Sequence, residues 1–216
     1  MSLYDGKISP NQDAFVGPAL STPYNGRSAF SAFTISYSTT IKASAFTCVE
    51  KLINTNTWST WNMLTPRATI TERPAITEHT TNADELREVI SKPGYLYKGV
   101  AFTVDVHMNP NSTTKTNTAT ECIDRVERFE TKDGRLGYRV VWRYVGMPFW
   151  LCHNERVHEF VEHEDPKSGE KVTEYIDWET FGGLIAFIIK YTAYRHFVGT
   201  FQRWRNDFKA AVEITE

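Results

Sequence analysis

His153-Asn154-Glu155-Arg156-Val157-His158-Glu159-Phe160 opens a polar-alternating stretch that runs to Thr180. It passes through Phe181-Gly182-Gly183 and becomes an amphipathic run over residues 184–212. Asp165-Pro166-Lys167-Ser168-Gly169 is a turn inside it, so two strands, 153–163 and 171–180, precede the glycines. Beyond them Leu184, Phe187, Ile188, Tyr191, Tyr194, Val198, Phe201, Phe208 and Val212 recur at spacings of three and four, the stripe of one long helix. Strands that feed a terminal helix through a glycine break imply a curved sheet gripping that helix, with a cavity between them.

Working toward the N-terminus, residues 136–145 read as a strand joined to 153–163 by a loop at Gly146-Met147-Pro148. Lys132-Asp133-Gly134 is a hairpin turn between it and a strand at 116–129. Asn109-Pro110-Asn111-Ser112 turns back to a strand at 99–109, where Phe102, Val104, Val106 and Met108 share a face. A further strand is expected at 65–72. Between it and residue 99 an excursion over 74–93 holds a small helix capped by Asn82 or Thr81, either a cavity lid or a surface insertion. Residues 32–41 alternate as a half-buried strand, Ser44 caps a helix over 45–53, and Trp58 and Trp61 face one side of a second short helix. Residues 1–29, with Pro10, Pro18 and Pro23, read as an extended arm, leaving 30–216 as the domain.

Composition restricts the functions open to such a container. The 216 residues carry a formal charge of −2, which gives no basic footprint for nucleic acid. No apolar run approaches the roughly 20 residues that span a bilayer, so no integral membrane segment is expected. Cys48, Cys122 and Cys152 are widely spaced, match no metal-ligand spacing and suit no disulfide framework; free thiols in a reducing compartment are expected. The first residues lack a basic-then-apolar leader, so the expected location is cytoplasmic. Six Trp, ten Tyr and thirteen Phe are generous for this length and can fill a core or line a pocket for a flat, greasy ligand.

Trp58-Ser59-Thr60-Trp61-Asn62 after the first helix, Asn154-Glu155-Arg156-Val157 in a late strand, Asp177-Trp178-Glu179-Thr180-Phe181-Gly182-Gly183, and a terminal Phe201-Gln202-Arg203-Trp204-Arg205-Asn206-Asp207-Phe208-Lys209 occur in this order. In that order they resemble the SRPBCC superfamily: START lipid-transfer domains, birch-pollen-allergen-like proteins and bacterial aromatic polyketide cyclases. The resemblance spans residues 30 to 213. It implies an α+β helix-grip fold: a seven-stranded curved antiparallel sheet around a long C-terminal helix, with two short helices after the first strand. It also implies a cavity for lipids, polyketides or other apolar molecules. No cofactor is expected.

Inside such a cavity, strand positions that share a face with aromatics carry the contacts. Tyr138, Trp142, Tyr144 and Trp178 are expected to point inward, with Trp58 and Trp61 near the mouth and Ile188, Tyr191 and Arg195 contributed by the helix. Arg195 is placed either to meet an acidic or phenolic ligand or to snorkel into solvent. Glu155 and Arg156, on opposite faces, each pair across the sheet. Asp105 and His107 are read as solvated, and His153, His158 and His163 form no metal set. No catalytic residue is assigned. The leading expectation is a monomeric or homodimeric binding protein for a hydrophobic small molecule, lipid or aromatic polyketide-like. The second is a cyclase, isomerase or dehydratase that uses acid–base groups in the same cavity; it requires a carboxylate or histidine beside Tyr144 or Trp178. A scaffold presenting the arm to a partner is the third.

Overall fold

The computed structural model describes residues 8–26, 30–108, 114–115, 117–165, 169–192 and 194–214, apart from the side chains of Tyr194 and Arg195. The expected turn at 109–112 and residues 166–168 of the turn at 165–169 lie outside these. In chain order the elements are β1 (Phe15–Gly17), β2 (Ser31–Ile41), α1 (Ala45–Ile53), α2 (Trp58–Trp61), β3 (Arg67–Glu72), α3 (Asp84–Ile90), β4 (Ala101–Val106), β5 (Asn117–Glu130), β6 (Leu136–Tyr144), β7 (His153–Glu164), β8 (Lys171–Gly182), α4 (Leu184–Thr192) and α5 (Tyr194–Glu213).

The strands form one antiparallel sheet of eight in the order β1-β2-β8-β7-β6-β5-β4-β3. Each strand from β3 to β8 pairs antiparallel with the next in the chain, and β2 closes on β8. Seven strands were expected; the eighth is β1, from the arm, which pairs with β2 at Val16↔Ile35. Ser44 caps α1 as its sequence predicts, with Oγ accepting from the Thr47 N–H at 3.0 Å.

Both faces of the sheet are buried. On the concave face Phe33, Ile35, Tyr37, Phe102, Trp142, Phe160, Tyr175 and Phe181 pack with Leu52 of α1, Trp58 of α2, and Trp204, Phe208 and Val212 of α5. On the convex face Val141, Val157, Ile176 and Trp178 form a second cluster with Ile8 of the arm, and Leu20 packs against it. The arm is tied down by polar groups on that face. The Leu20 N–H donates to Thr34 Oγ1 at 2.8 Å, and the Ser38 hydroxyl donates to the Ser9 carbonyl at 2.5 Å.

Excursion 74–93 packs into the main core through Leu86, Val89 and Ile90 of α3. The Arg73 guanidinium gathers its end by donating to the Ile90, Ser91 and Lys92 carbonyls. The cap of α3 is Ala83, not Asn82 or Thr81. Asn82 instead exchanges hydrogen bonds with the Arg128 backbone of β5, a stronger demand on an amide than one cap. The glycine break behaves as its sequence suggests. Gly183 has φ +84°, and a Cβ there would lie 2.7 Å from the Leu151 carbonyl oxygen. That close approach brings the β6–β7 loop onto the start of α4, where the Leu184 and Ile185 N–H groups donate to the Trp150 and Leu151 carbonyls.

Candidate functional site

A cavity of about 270 Å³ lies between the concave face and the C-terminal helices. Its aromatic wall is built by Trp58, Phe102, Trp142 and Trp204. The Trp58 ring stands 6.2 Å from Phe102, 6.3 Å from Trp142 and 6.3 Å from Trp204, mostly edge-to-face. Ile185 and Ile189 of α4 and Phe197 and Phe201 of α5 supply the opposite wall. Met147 also lines the cavity and is exposed, so the space reaches solvent beside the β6–β7 loop.

One end of this greasy chamber is polar, because neighbouring strands bring Glu121, Tyr144, Cys152, Asn154, Arg156 and Glu179 to the same wall. The register accounts for it: Glu121 sits opposite Tyr144, Trp142 opposite Arg156, and Arg156 opposite Glu179. Arg156 is the anchor. Its Nε donates to Asp177 Oδ2 at 3.0 Å and Nη2 to Tyr37 Oη at 3.2 Å, while its plane lies 4.1 Å from the Trp204 ring centre and 4.6 Å from that of Phe201. Behind it, His158 Nδ1 lies 2.5 Å from Asp177 Oδ2, and the Tyr175 hydroxyl donates to the same oxygen at 2.9 Å. Burial alone would raise Asp177, but Arg156 and then His158 hold it below the usual carboxylate range. Burial pushes His158 down to about 4, so its imidazole is neutral, and its Nε2 has no partner.

The other two carboxylates differ. Burial pushes Glu179 up to about 7 against the pull of Arg156, whose Nε is 3.9 Å from Oε2; Asn154 Nδ2 donates to Oε1. Burial, and then the charge of Glu179, hold Glu121 well above the carboxylate range. Among the described residues burial and charge, not hydrogen bonding, set its environment, and Asn154 Oδ1 is buried with no partner. Burial of such groups is costly unless something meets them. The wall therefore offers a proton donor, a proton acceptor and a spare amide oxygen to whatever occupies the cavity. No metal-binding cluster is present among the described residues.

The chain has a helix-grip fold, a curved antiparallel sheet packed around C-terminal helices. The fold is shared with a hypothetical protein of Helicobacter pylori, at a TM-score of 0.51 and 12% identity over 82% of this chain and 85% of that one. A START superfamily protein of Mycobacterium smegmatis aligns at 0.49 and 10% identity (85% and 99% of the two chains), and truncated norcoclaurine synthase of Thalictrum flavum at 0.47 and 7% (93% and 95%). No family model matches the sequence. The oxopyrrolidines biosynthesis cluster protein O of Penicillium oxalicum is 28% identical over 183 residues, 82% of this chain and 84% of that protein.

Within the helix-grip cavity, Trp58, Trp142 and Tyr144 of the residues named from sequence line the wall. Trp61 is buried behind it, 5.3 Å from Trp204 and 5.2 Å from Phe208. Tyr138 faces the concave side but packs against Phe46, and its hydroxyl donates to Glu85 of α3. Trp178 does not point inward: it lies on the convex face, where its Nε1 donates to the Ser21 carbonyl of the arm. Ile188 and Tyr191 are 63% and 79% exposed, and Ile185, Ala186 and Ile189 turn inward in their place. The reason is that α4 is apolar almost all round, so periodicity alone cannot select its inner side. The side chain of Arg195 lies outside the described residues.

Glu121, Arg156, Asp177 and Glu179 are the site residues missed in the sequence. Tyr175, Asp177 and Glu179 share parity with Phe181, and Arg156 shares parity with Phe160. That parity is the signal that could have placed them. It was outweighed by Ile176 and Trp178, which are apolar because the arm buries the other face too. Arg156 does pair across the sheet as expected, whereas Glu155 accepts from the arm, from the Tyr24 and Asn25 N–H groups at 2.9 and 2.8 Å.

Proposed function

We propose that the protein binds a small, mainly apolar molecule with one polar end in the cavity between sheet and C-terminal helices. The observation that carries this reading is the division of the wall into an aromatic part and a charged cluster around Arg156. A volume of about 270 Å³ lies just below the roughly 300–1,000 Å³ of small-molecule sites. It favours a one- or two-ring compound over a long-chain lipid. The relative named for an oxopyrrolidine biosynthesis cluster supports a ligand drawn from small-molecule biosynthesis.

A second reading, catalysis in the same cavity of the cyclase, isomerase or dehydratase kind, is favoured by the carboxylates beside Tyr144. Binding is tested by native mass spectrometry of the protein incubated with a metabolite extract, with tryptophan emission followed in parallel, because Trp58, Trp142 and Trp204 form the wall. A retained mass of a few hundred daltons accompanied by an emission change is expected. An extract that yields neither overturns the reading.

A further inference from the structure

Resting on the catalytic reading and naming its chemistry, we propose that Glu179 and Glu121 act as a base–acid pair on a neutral, planar, enolisable carbonyl compound, with Glu179 taking a proton from carbon and Glu121 giving one to the carbonyl oxygen. Four observations meet here. Both carboxyl groups line the cavity, on residues that are 9% (Glu121) and 8% (Glu179) exposed. Asn154 holds Glu179 by Oε1, while Oε2, 3.9 Å from Arg156 Nε, accepts no hydrogen bond among the described residues and faces the cavity. Among the described residues burial and charge, not hydrogen bonding, set the environment of Glu121, so a donor proton on it is free to meet a ligand. The adjoining rings of Trp58, Phe102, Trp142 and Trp204 make flat walls that suit a conjugated or aromatic framework.

The step balances without any added reagent. The Glu179 carboxylate accepts the proton on the carbon next to the carbonyl, and the C–H electron pair becomes the carbon–carbon double bond. The carbonyl π pair moves onto oxygen, which takes the proton of Glu121. The product is a neutral enol, with the negative charge transferred from Glu179 to Glu121. Glu179 gains one proton as Glu121 gives one up, so the wall's net charge is unchanged, and Arg156 attracts the charge in either location. The enol collapses by the reverse path, and return of a proton to a different carbon gives an isomer. Nothing is oxidised or reduced.

The surroundings also define the substrate's charge. The groups facing the pair are Arg156 on β7, Asp177 on β8, Tyr144 on β6 and Cys152 in the preceding loop; α4 and α5 contribute apolar side chains and Thr200 among the described residues. Arg156 is already engaged by Asp177 at 3.0 Å. Among the described residues no uncommitted cation is therefore present there for a carboxylate ligand, and a neutral substrate fits.

The test uses 2-tetralone, a neutral two-ring enolisable ketone, in deuterium oxide. Proton NMR follows loss of the signals next to the carbonyl, and tryptophan emission measures binding separately. Wild-type protein is expected to speed exchange about 10²-fold or more over buffer, the usual scale of general acid–base catalysis. Glu179→Gln should abolish this while the ketone still binds, and Glu179→Asp should restore part of it. Glu121→Gln, which keeps a donor but has no proton to give up, should slow it at least tenfold. In wild type the rate should rise with pH through neutrality, and that rise should vanish in Glu179→Gln; a purely structural role would not produce this. Binding without accelerated exchange, or exchange unchanged in Glu179→Gln, overturns the inference and leaves the binding reading standing. Failure of the ketone to bind overturns the substrate class.

Discussion

Glu155 and Arg156 are neighbours in the chain, and both are buried, but they serve two differently built faces of one sheet. On the convex face the Glu155 carboxylate is met by backbone N–H groups of Tyr24 and Asn25, and Trp178 and Ile176 are covered by the arm. On the concave face Arg156 and Asp177 satisfy one another, while Glu121 and the free oxygen of Asn154 are left facing a cavity. The lesson is that burial alone does not mark a site. Buried polar groups whose partners are all supplied by the chain hold the fold together; those left partly unmet beside a cavity are available to a ligand.

Breaking the concave network should have the largest effect. Arg156→Met leaves Asp177 buried without its cation and should cost about 3–5 kcal/mol in urea unfolding. A loss below about 1 kcal/mol would mean that Arg156 does not anchor this wall. Glu179→Gln should act in the opposite sense at alkaline pH. A carboxyl raised from 4.5 to about 7 contributes stability that is complete below about pH 4.5 and is lost as the pH rises through about 7. Relative to wild type, the glutamine variant should therefore gain about 3 kcal/mol between pH 4.5 and 8, at about 1.4 kcal/mol per pH unit. Parallel pH–stability curves for the two proteins would contradict this assignment.

Convex-face changes should be smaller and should leave the cavity untouched. Glu155→Gln weakens the acceptor for two N–H groups and should cost about 1–3 kcal/mol. Limited proteolysis should then cut the arm faster, with ligand-dependent tryptophan emission unchanged. Trp178→Phe removes the bond to the Ser21 carbonyl and should cost about 1 kcal/mol. If it altered ligand binding instead, the separation of the two faces would be wrong.

The sequence by itself determined the helix-grip outline. Period-two runs bounded by turn residues, the Ser44 cap and the Gly182-Gly183 break are local signals, and each reports the conformation of its own few residues. It also placed Trp142 and Tyr144 on one face of β6, the face that lines the cavity, because that strand alternates cleanly. Tertiary structure alone decided the rest. Which face of β8 looks inward depended on the arm, more than a hundred residues away in sequence, burying Trp178. Which side of α4 packs inward depended on its docking against the sheet, since Ile185 and Ile188 are equally apolar. Bringing Glu121 and Glu179 to one cavity required β5 and β8, separated by two intervening strands, to curve around it. Alternation fixes a strand's two faces; only the layers packed against them determine which one meets a ligand.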